Sequence, residues 1–549
     1  MTAATATTAA TRPRRTGPAP GGPLAGTGHL TRFALRRDRV RIGVWTLSLG
    51  GLVAYFGAVV PTVYPDAAAR QTRAAIMREP SGALLTGPGY GLDDYTFGVM
   101  IANEMLGMLA VAAALMSILL VVRHTRAEEE DGRTDLVRAG VVGRAAPLAA
   151  ALAVMLVADA AVAAGLLGAL TANGLDARDS AAVALGVAAV GVTFGTVAAV
   201  TAQLTTGARA ASGSAGAVLA LAFLLRGIGD ARRTGGSALS WASPVGWAQQ
   251  TRAFVDLRWW PLLLHVVTSA VLLAVAAALA ARRDVGAGLV PERRGAARAS
   301  RWLAGPVGLA ARLERAGLAW WAVSLLAFAA LTGSMTQGVV DSFADQPQLA
   351  QAFGSAPGDD LVLRTVSTFL GILAMAVAVY AVTVVGRLRR EETDGRASAV
   401  LAASVDRRAW LGAQLGVAVT GATVLLLASG LGLGLGAAGA VDGAVTACTL
   451  ASLAHLPVVA AFAALAALLH GTGAPAWPGW ALLVASVVVG VYGPVLGLPD
   501  AVLDVAPFGL VPAVPAAALD LAPLVALTAV AVALTAGALA AVRRRDLRG

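Results

Sequence analysis

The chain has 549 residues, of which 57% are hydrophobic and only 13% charged, with a mean hydropathy of +0.72. A soluble protein carries about 25% charged residues, so this composition excludes a string of water-soluble domains and predicts an all-α polytopic membrane protein. The formal charge is +10, every one of the 42 basic residues is Arg, and a single cysteine, Cys448, excludes an intrachain disulfide and a cysteine-based metal cluster.

Residues 1–28 are rich in Thr, Ala, Pro and Gly and poor in large apolar side chains, which predicts a disordered tail. The next stretch, 29–41 (HLTRFALRRDRVR), alternates apolar residues with arginines. Two readings are open for it, and for its counterpart at 307–316: an amphipathic segment lying on the membrane surface before the first span, or an ordinary basic flank of that span. No short apolar core with a small-residue cleavage pattern occurs, so the first span is expected to be uncleaved.

A helix needs about 20 apolar residues to cross about 30 Å of hydrocarbon. Twelve segments have that length, at roughly 42–63, 97–122, 146–171, 181–204, 212–229, 260–281, 317–336, 361–386, 409–434, 443–470, 478–497 and 521–542. The fifth and eleventh are the weakest, because mixed Pro-containing stretches follow them. Those stretches, 230–259 and 498–520, are expected to form short re-entrant or interfacial elements. Pro244, Gly246, Trp247, Pro507 and Phe508 would cap the outer end there.

Between the second and third spans runs RAEEEDGRTDLVRAGVVGR (126–144), and between the eighth and ninth runs RREETDGRASAVLAASVDR (389–407). Charge of this density cannot sit in hydrocarbon, so both copies are loops at a membrane face. Glu128, Glu129, Asp131, Gly132 and Arg133 match Glu391, Glu392, Asp394, Gly395 and Arg396 at a constant offset of 263. A loop made once in each half suggests two equivalent contacts with something outside the membrane.

Other landmarks repeat in the same order. Arg36, Asp38, Arg39 and Trp45 align with Arg312, Glu314, Arg315 and Trp321, Ser-Pro-Val-Gly-Trp (243–247) aligns with Ala-Pro-Phe-Gly-Leu (506–510), and Arg-Arg-Asp recurs at 282–284 and 544–546. The chain therefore reads as a first six-span half (29–284), a basic linker (285–311) and a second half (312–549) in parallel orientation. With the N-terminus inside, 32 of the 42 arginines fall in the tail, the two charged loops, the linker, the short 205–213 loop and the C-terminus. Both termini are thus expected on the cytoplasmic side of the membrane, despite an arginine cluster at 226–258 on the outer side.

The chain has no Lys and hence no Walker phosphate loop, and it has no HExxH, CxxC or nucleophile elbow. No cofactor, metal or nucleic acid is expected on this chain. Glu104 and Asp159 lie inside apolar spans. An acid in hydrocarbon marks a possible functional site, and the alternative is a helix-to-helix hydrogen bond.

The EExDGR loop, the amphipathic lead-in, Phe223–Asp230, Ser243-Pro-Val-Gly-Trp247 and Arg282-Arg-Asp284 together resemble ATP-binding-cassette type-2 exporter permeases. The fused twelve-span form is similar to actinobacterial permeases for polyketide antibiotics, whose namesake confers tetronasin resistance. The resemblance implies a permease that is not itself an enzyme. Its two charged loops would each carry a coupling helix for a separate ATP-binding subunit, present as two copies or a heterodimer. That partner would hold ATP and Mg, and the cargo would be a lipophilic small molecule. Two other readings stay open: a proton-driven secondary transporter, and a membrane assembly protein that transports nothing.

Overall fold

The computed structural model describes residues 22–284, 286–290, 296–336, 361–403, 405–492, 499, 503 and 506–545. Most of the expected tail, parts of the linker, Asp546 and the end of the eleventh segment lie outside the described residues. The chain divides into two compact units, Met1–Arg294 and Gly295–Gly549, and the division falls inside 285–311. Among the described residues there is no strand. Among the described residues eleven helices are long and apolar enough to cross a membrane, and a shorter apolar helix follows the tenth. The chain is a multi-pass helical membrane protein.

In the first unit, α1 (Thr27–Val63) is followed by short α2 (Ala67–Arg78) and α3 (Pro80–Leu85). The second spanning helix is α4 (Phe97–Glu130), with wide π turns at Ile101–Met105 and Arg123–Ala127. Then come α5 (Arg133–Arg138), α6 (Ala146–Ala172), α7 (Ala177–Leu204), α8 (Ala208–Arg232), α9 (Ala238–Trp241), α10 (Pro244–Gln249) and α11 (Pro261–Arg282). The second unit holds α12 (Pro306–Ser334), α13 (Leu361–Thr393), α14 (Arg396–Leu401), α15 (Arg407–Ala437), α16 (Ala444–Gly471), α17 (Trp477–Tyr492) and α18 (Leu521–Arg544).

Three boundaries differ from the sequence reading. The lead-in 29–41 is no separate surface helix. It continues unbroken into the first span, because nothing in it interrupts helical hydrogen bonding and α1 runs for 37 residues, about 55 Å at 1.5 Å per residue. The tail ends earlier than residue 28: Pro23 and Ala25 carbonyls accept from Ala145 and Gly143 N–H at 2.9 Å each. The linker begins later than 285, since Leu289 and Val290 N–H donate to the carbonyls of Gln203 and Leu204 at the end of α7.

Small residues let these helices approach closely, which is how helices associate where lipid is as apolar as Leu. In the first unit α1 lies along α6, and a Cβ on Gly50 would sit 3.3 Å from the Gly165 carbonyl oxygen. The second unit goes further with Gly430-Leu-Gly-Leu-Gly-Leu-Gly436 on α15. Gly432 and Gly436, one turn apart, face α12, where added Cβ atoms would meet the Leu326 and Ala330 carbonyl oxygens at 2.3 and 2.0 Å. Gly430 and Gly434 face α16 with the same intimacy, at 2.5 Å from the Cys448 oxygen and 2.7 Å from the Ala444 oxygen.

Candidate functional site

The charged loop of the first unit begins where the π turn closes α4. Glu128–Glu130 finish the helix, and Gly132, at φ 69° in the left-handed region, turns the chain into α5. Glu129 points inward. Arg283 grips it with both terminal nitrogens at 2.6 and 2.7 Å, and Arg126 adds a third contact at 2.5 Å. Arg126 is only 1% exposed. Its other nitrogen donates to the carbonyls of Thr205 and Ala287. Arg283 Nε completes the set on Gln203 Oε1 at 2.9 Å. A forked arginine on a carboxylate is the strongest such pairing in geometry and energy.

The second unit builds the same clamp from its own residues. Gly395 has φ 72° and starts α14. Glu392 is gripped by Arg545 at 2.7 and 3.2 Å, with His470 Nε2 at 3.3 Å. Arg545 also donates to the His470 carbonyl, and Arg389, the counterpart of Arg126, donates to the Ala474 carbonyl at 2.5 Å. Beside each clamp sits a buried acid on the first helix of the unit. Asp38 pairs with His124 at 2.5 Å, with Arg41 at 3.2 Å and with Arg123 at 3.3 Å, while Glu314 pairs with Arg387 at 2.6 Å. His124 and Arg387 stand at the same repeat offset of 263. Arg144 and Arg407 likewise both donate to carbonyls at the C-terminal end of the last helix of their unit.

The outward face of each loop carries different residues. Glu128 contacts Arg37 at 2.5 Å and Arg133 at 3.5 Å, and Arg133 also reaches Asp131. Arg396 pairs with Glu391 and Asp394 at 3.2 and 2.7 Å. The hydrogen bond to Glu391 raises the pKa of Arg396. Exposed pairs like these contribute little stability, which leaves their charges free for a partner. The sequence grouped all ten residues as one contact set. The structure divides them, with Glu129 and Glu392 turned inward and the other eight at or near the surface. Adjacent helical residues lie about 100° apart around the axis, so neighbouring glutamates cannot share a face. One apolar difference separates the loops: Leu136 on α5 is 78% exposed, and its counterpart on α14 is Ala399. Between α1 and α5, Phe33, Ala34 and Val137 line a cavity of about 100 Å³.

The two intramembrane acids part company. Glu104 sits on the first π turn near the start of α4. It accepts from Arg73 on α2 at 2.7 and 3.3 Å and from the Tyr95 hydroxyl at 2.9 Å. Burial works against the charge on Arg73, but the adjacent Glu104 carboxylate outweighs it and raises the pKa. Burial, with Glu104 adding to it, pushes the Tyr95 phenol well above its usual range, so Tyr95 stays a donor. Glu104 therefore links α4 to α2 and to the turn that carries Tyr95.

Asp159 on α6 is 1% exposed and accepts from Ser117 Oγ on α4, which lies 2.9 and 3.0 Å from its two carboxyl oxygens. Among the described residues no basic group pairs with it. Gly191 on α7 makes room for it, since a Cβ there would lie 2.3 Å from Asp159 Oδ1. The second unit has Tyr380 and Ala422 at the matching offsets. There Tyr380 fills the space, and its hydroxyl would lie 2.3 Å from a Cβ on Gly421.

The segment after α8 forms two short helices, not a span. Trp247 on α10 donates its indole N–H to the Trp241 carbonyl at 2.6 Å, and Asp230 at the end of α8 accepts from Ser240 at 2.6 Å. Gly246 has no room for a side chain, because a Cβ would lie 2.1 Å from the Ser240 oxygen. Gly509 repeats this against the Leu503 oxygen at 2.2 Å. Both approaches span six residues at the repeat offset. Pro244 opens α10, while Pro507 and buried Phe508 lie in the turn before Gly509, with Phe508 stacked on Phe462. Much of 498–505 lies outside the described residues.

The sequence missed the inward clamp. Arg283 and Arg545 were visible only as a repeated Arg-Arg-Asp, and Asp38 and Glu314 only as an aligned pair of acids, with no sign of what they would touch.

The profile of the family described as multidrug efflux system permease Rv1217c, C-terminal domain, matches residues 29–281 and 303–543. The multidrug efflux system permease protein Rv1217c of Mycobacterium tuberculosis (strain H37Rv) is 39% identical over 541 residues, covering 96% of each chain.

Proposed function

The chain belongs to the Rv1217c family of multidrug efflux system permeases, and from that premise we propose that it is the membrane subunit of an exporter driven by a separate ATP-binding subunit. The observation that carries this reading is the charged loop built twice. In each unit an inward glutamate is clamped by an arginine from about 150 residues away, while the neighbouring acids and arginine face out. Such a loop is a rigid, charged lever suited to a soluble partner. The partner would dock as two copies or a heterodimer and would bring the ATP and Mg, since this sequence contains no nucleotide-binding motif. Both loops and both termini would face the cytoplasm, as arginine resists translocation. The spanning helices are built from Ala, Gly, Val and Leu, which suits a hydrophobic or amphipathic cargo of the polyketide-antibiotic kind.

Asp159 favours a second reading, a proton-driven carrier, because it is a buried acid with no basic partner among the described residues. One experiment separates the two. Cells expressing the permease with its cognate ATP-binding subunit should accumulate less of a lipophilic antibiotic, and a Walker-lysine mutant of that subunit should abolish the effect. Efflux that survives the dead ATPase but collapses with a protonophore would transfer the function to the second reading.

A further inference from the structure

At the end of the first unit opposite the charged loop, the turn before α4 and the segment after α8 enclose a crevice of about 590 Å³. That volume is in the range of small-molecule sites, roughly 300–1,000 Å³. Arg78, Tyr90, Asp93, Arg233, Thr234 and Arg252 line it. Three arginines against one aspartate leave the lining with two uncompensated positive charges. Asp93 is consumed by Arg78 at 2.7 Å. Arg252 lies over the Tyr90 ring at 4.4 Å, and its nearest acid, Asp256, is 3.7 Å away and already held by Arg258 at 2.6 Å. The Arg233 side chain has no hydrogen bond or ion pair among the described residues.

The walls are fixed before any ligand arrives. The Tyr90 hydroxyl bonds to Gly235 O and Gln250 Oε1 at 2.6 and 2.5 Å, Asn103 donates to Tyr90 O at 2.8 Å, and Gly235 N–H donates to Pro88 O at 2.6 Å. Arg252 and Phe254 take left-handed φ values of 52° and 65°, a conformation that costs free energy in non-glycine residues. Asp179 holds that turn by accepting from Phe254 N–H at 2.7 Å. Strain and cross-links thus hold Arg252 and Tyr90 in the wall of an open polar crevice, where Arg233 is left unpaired among the described residues.

We propose that this crevice binds the anionic headgroup, carboxylate or phosphate, of an amphiphile, with Arg233 and Arg252 as the ligating residues. Two sources share that chemistry, an exported lipophilic acid and an anionic phospholipid. The site does not depend on what drives transport, so the isolated permease suffices for the test. Purified protein in neutral detergent is titrated with a pyrene-labelled fatty acid and with its methyl ester. In parallel, phosphatidylglycerol and phosphatidylcholine retention is read by native mass spectrometry. Arg233→Gln should weaken acid binding or phosphatidylglycerol retention about tenfold, as for loss of one charge-assisted contact, and leave the ester and phosphatidylcholine unchanged. An effect on the acid alone assigns the site to cargo, and an effect on phosphatidylglycerol alone assigns it to lipid. Arg252→Gln should act likewise and Arg252→Lys should recover part of the loss. Because the Arg233 side chain makes no hydrogen bond or ion pair among the described residues, its variant should elute as the parent does. The proposal fails if the parent prefers neither anion, or if Arg233→Gln and the Arg233→Gln/Arg252→Gln pair bind both as the parent does.

Discussion

Two glutamates in adjacent positions do different work in each unit. Glu128 and Glu391 sit at the surface in weak pairs, while Glu129 and Glu392 complete buried clamps. Removing one partner of a buried pair leaves an uncompensated charge, which costs about 3 kcal/mol or more. Arg283→Ala and Arg545→Ala should each lower the thermal unfolding midpoint of the detergent-solubilised protein by several degrees. The swap Glu129→Arg with Arg283→Glu should recover part of it. Glu128→Arg should leave the midpoint within experimental error and act only on partner binding. Equal destabilisation by Glu128→Arg and Arg283→Ala would contradict the inward and outward assignment. Asp159 makes a separate residue-scale prediction. Asp159→Asn keeps a hydrogen-bond partner for Ser117 and removes the titratable proton. If ATP drives export, antibiotic efflux by Asp159→Asn should match the parent, whereas a proton carrier would lose it.

At the scale of elements, glycine sets how closely helices and turns approach. The glycine run on α15 uses one diagonal of small residues for α12 and the other for α16. Gly436→Ala would drive a methyl group to 2.0 Å from a backbone oxygen that cannot rotate away. The helices would have to separate, and overpacking of this kind costs about 1–3 kcal/mol. Gly439→Ala, where nothing lies within 4 Å of the added carbon, is the matched control and should be silent. The comparison is read by size-exclusion recovery after heating. Gly246→Ala and Gly509→Ala should both lower that recovery by disrupting the turn that each unit makes against the carbonyl six residues earlier.

At the scale of the whole molecule, arginine is concentrated at the end of each unit that carries the charged loop. Single cysteines at Asp135 and Ser398, equivalent exposed positions on α5 and α14, should react with an impermeant thiol reagent only in opened cells. Cys448 is buried and should not contribute background. Labelling of either site in intact cells would reverse the orientation. The two loops should also differ in strength. Leu136 offers an exposed apolar contact that Ala399 lacks, so Leu136→Glu should reduce co-purification of the ATP-binding subunit more than Ala399→Glu. Equal losses would mean that the partner reads only the charges.

The sequence by itself determined the class, the rough position of the helices, and the doubled loop. Each of these is a contrast between apolar and charged stretches that hydrocarbon enforces locally. It also revealed the duplication, because repeated polar residues stand out against an apolar background. It could not say which of two neighbouring glutamates faces inward, since helix rotation is set by packing and the clamping arginines come from 154 and 153 residues away. The lead-in boundary differed for another reason: amphipathicity predicts a face, while the helix continues wherever nothing interrupts its hydrogen bonds. Glu104 and Asp159 looked alike in sequence, each an acid in an apolar run. Only the tertiary structure separated them, by bringing Arg73 to one and Ser117 alone to the other.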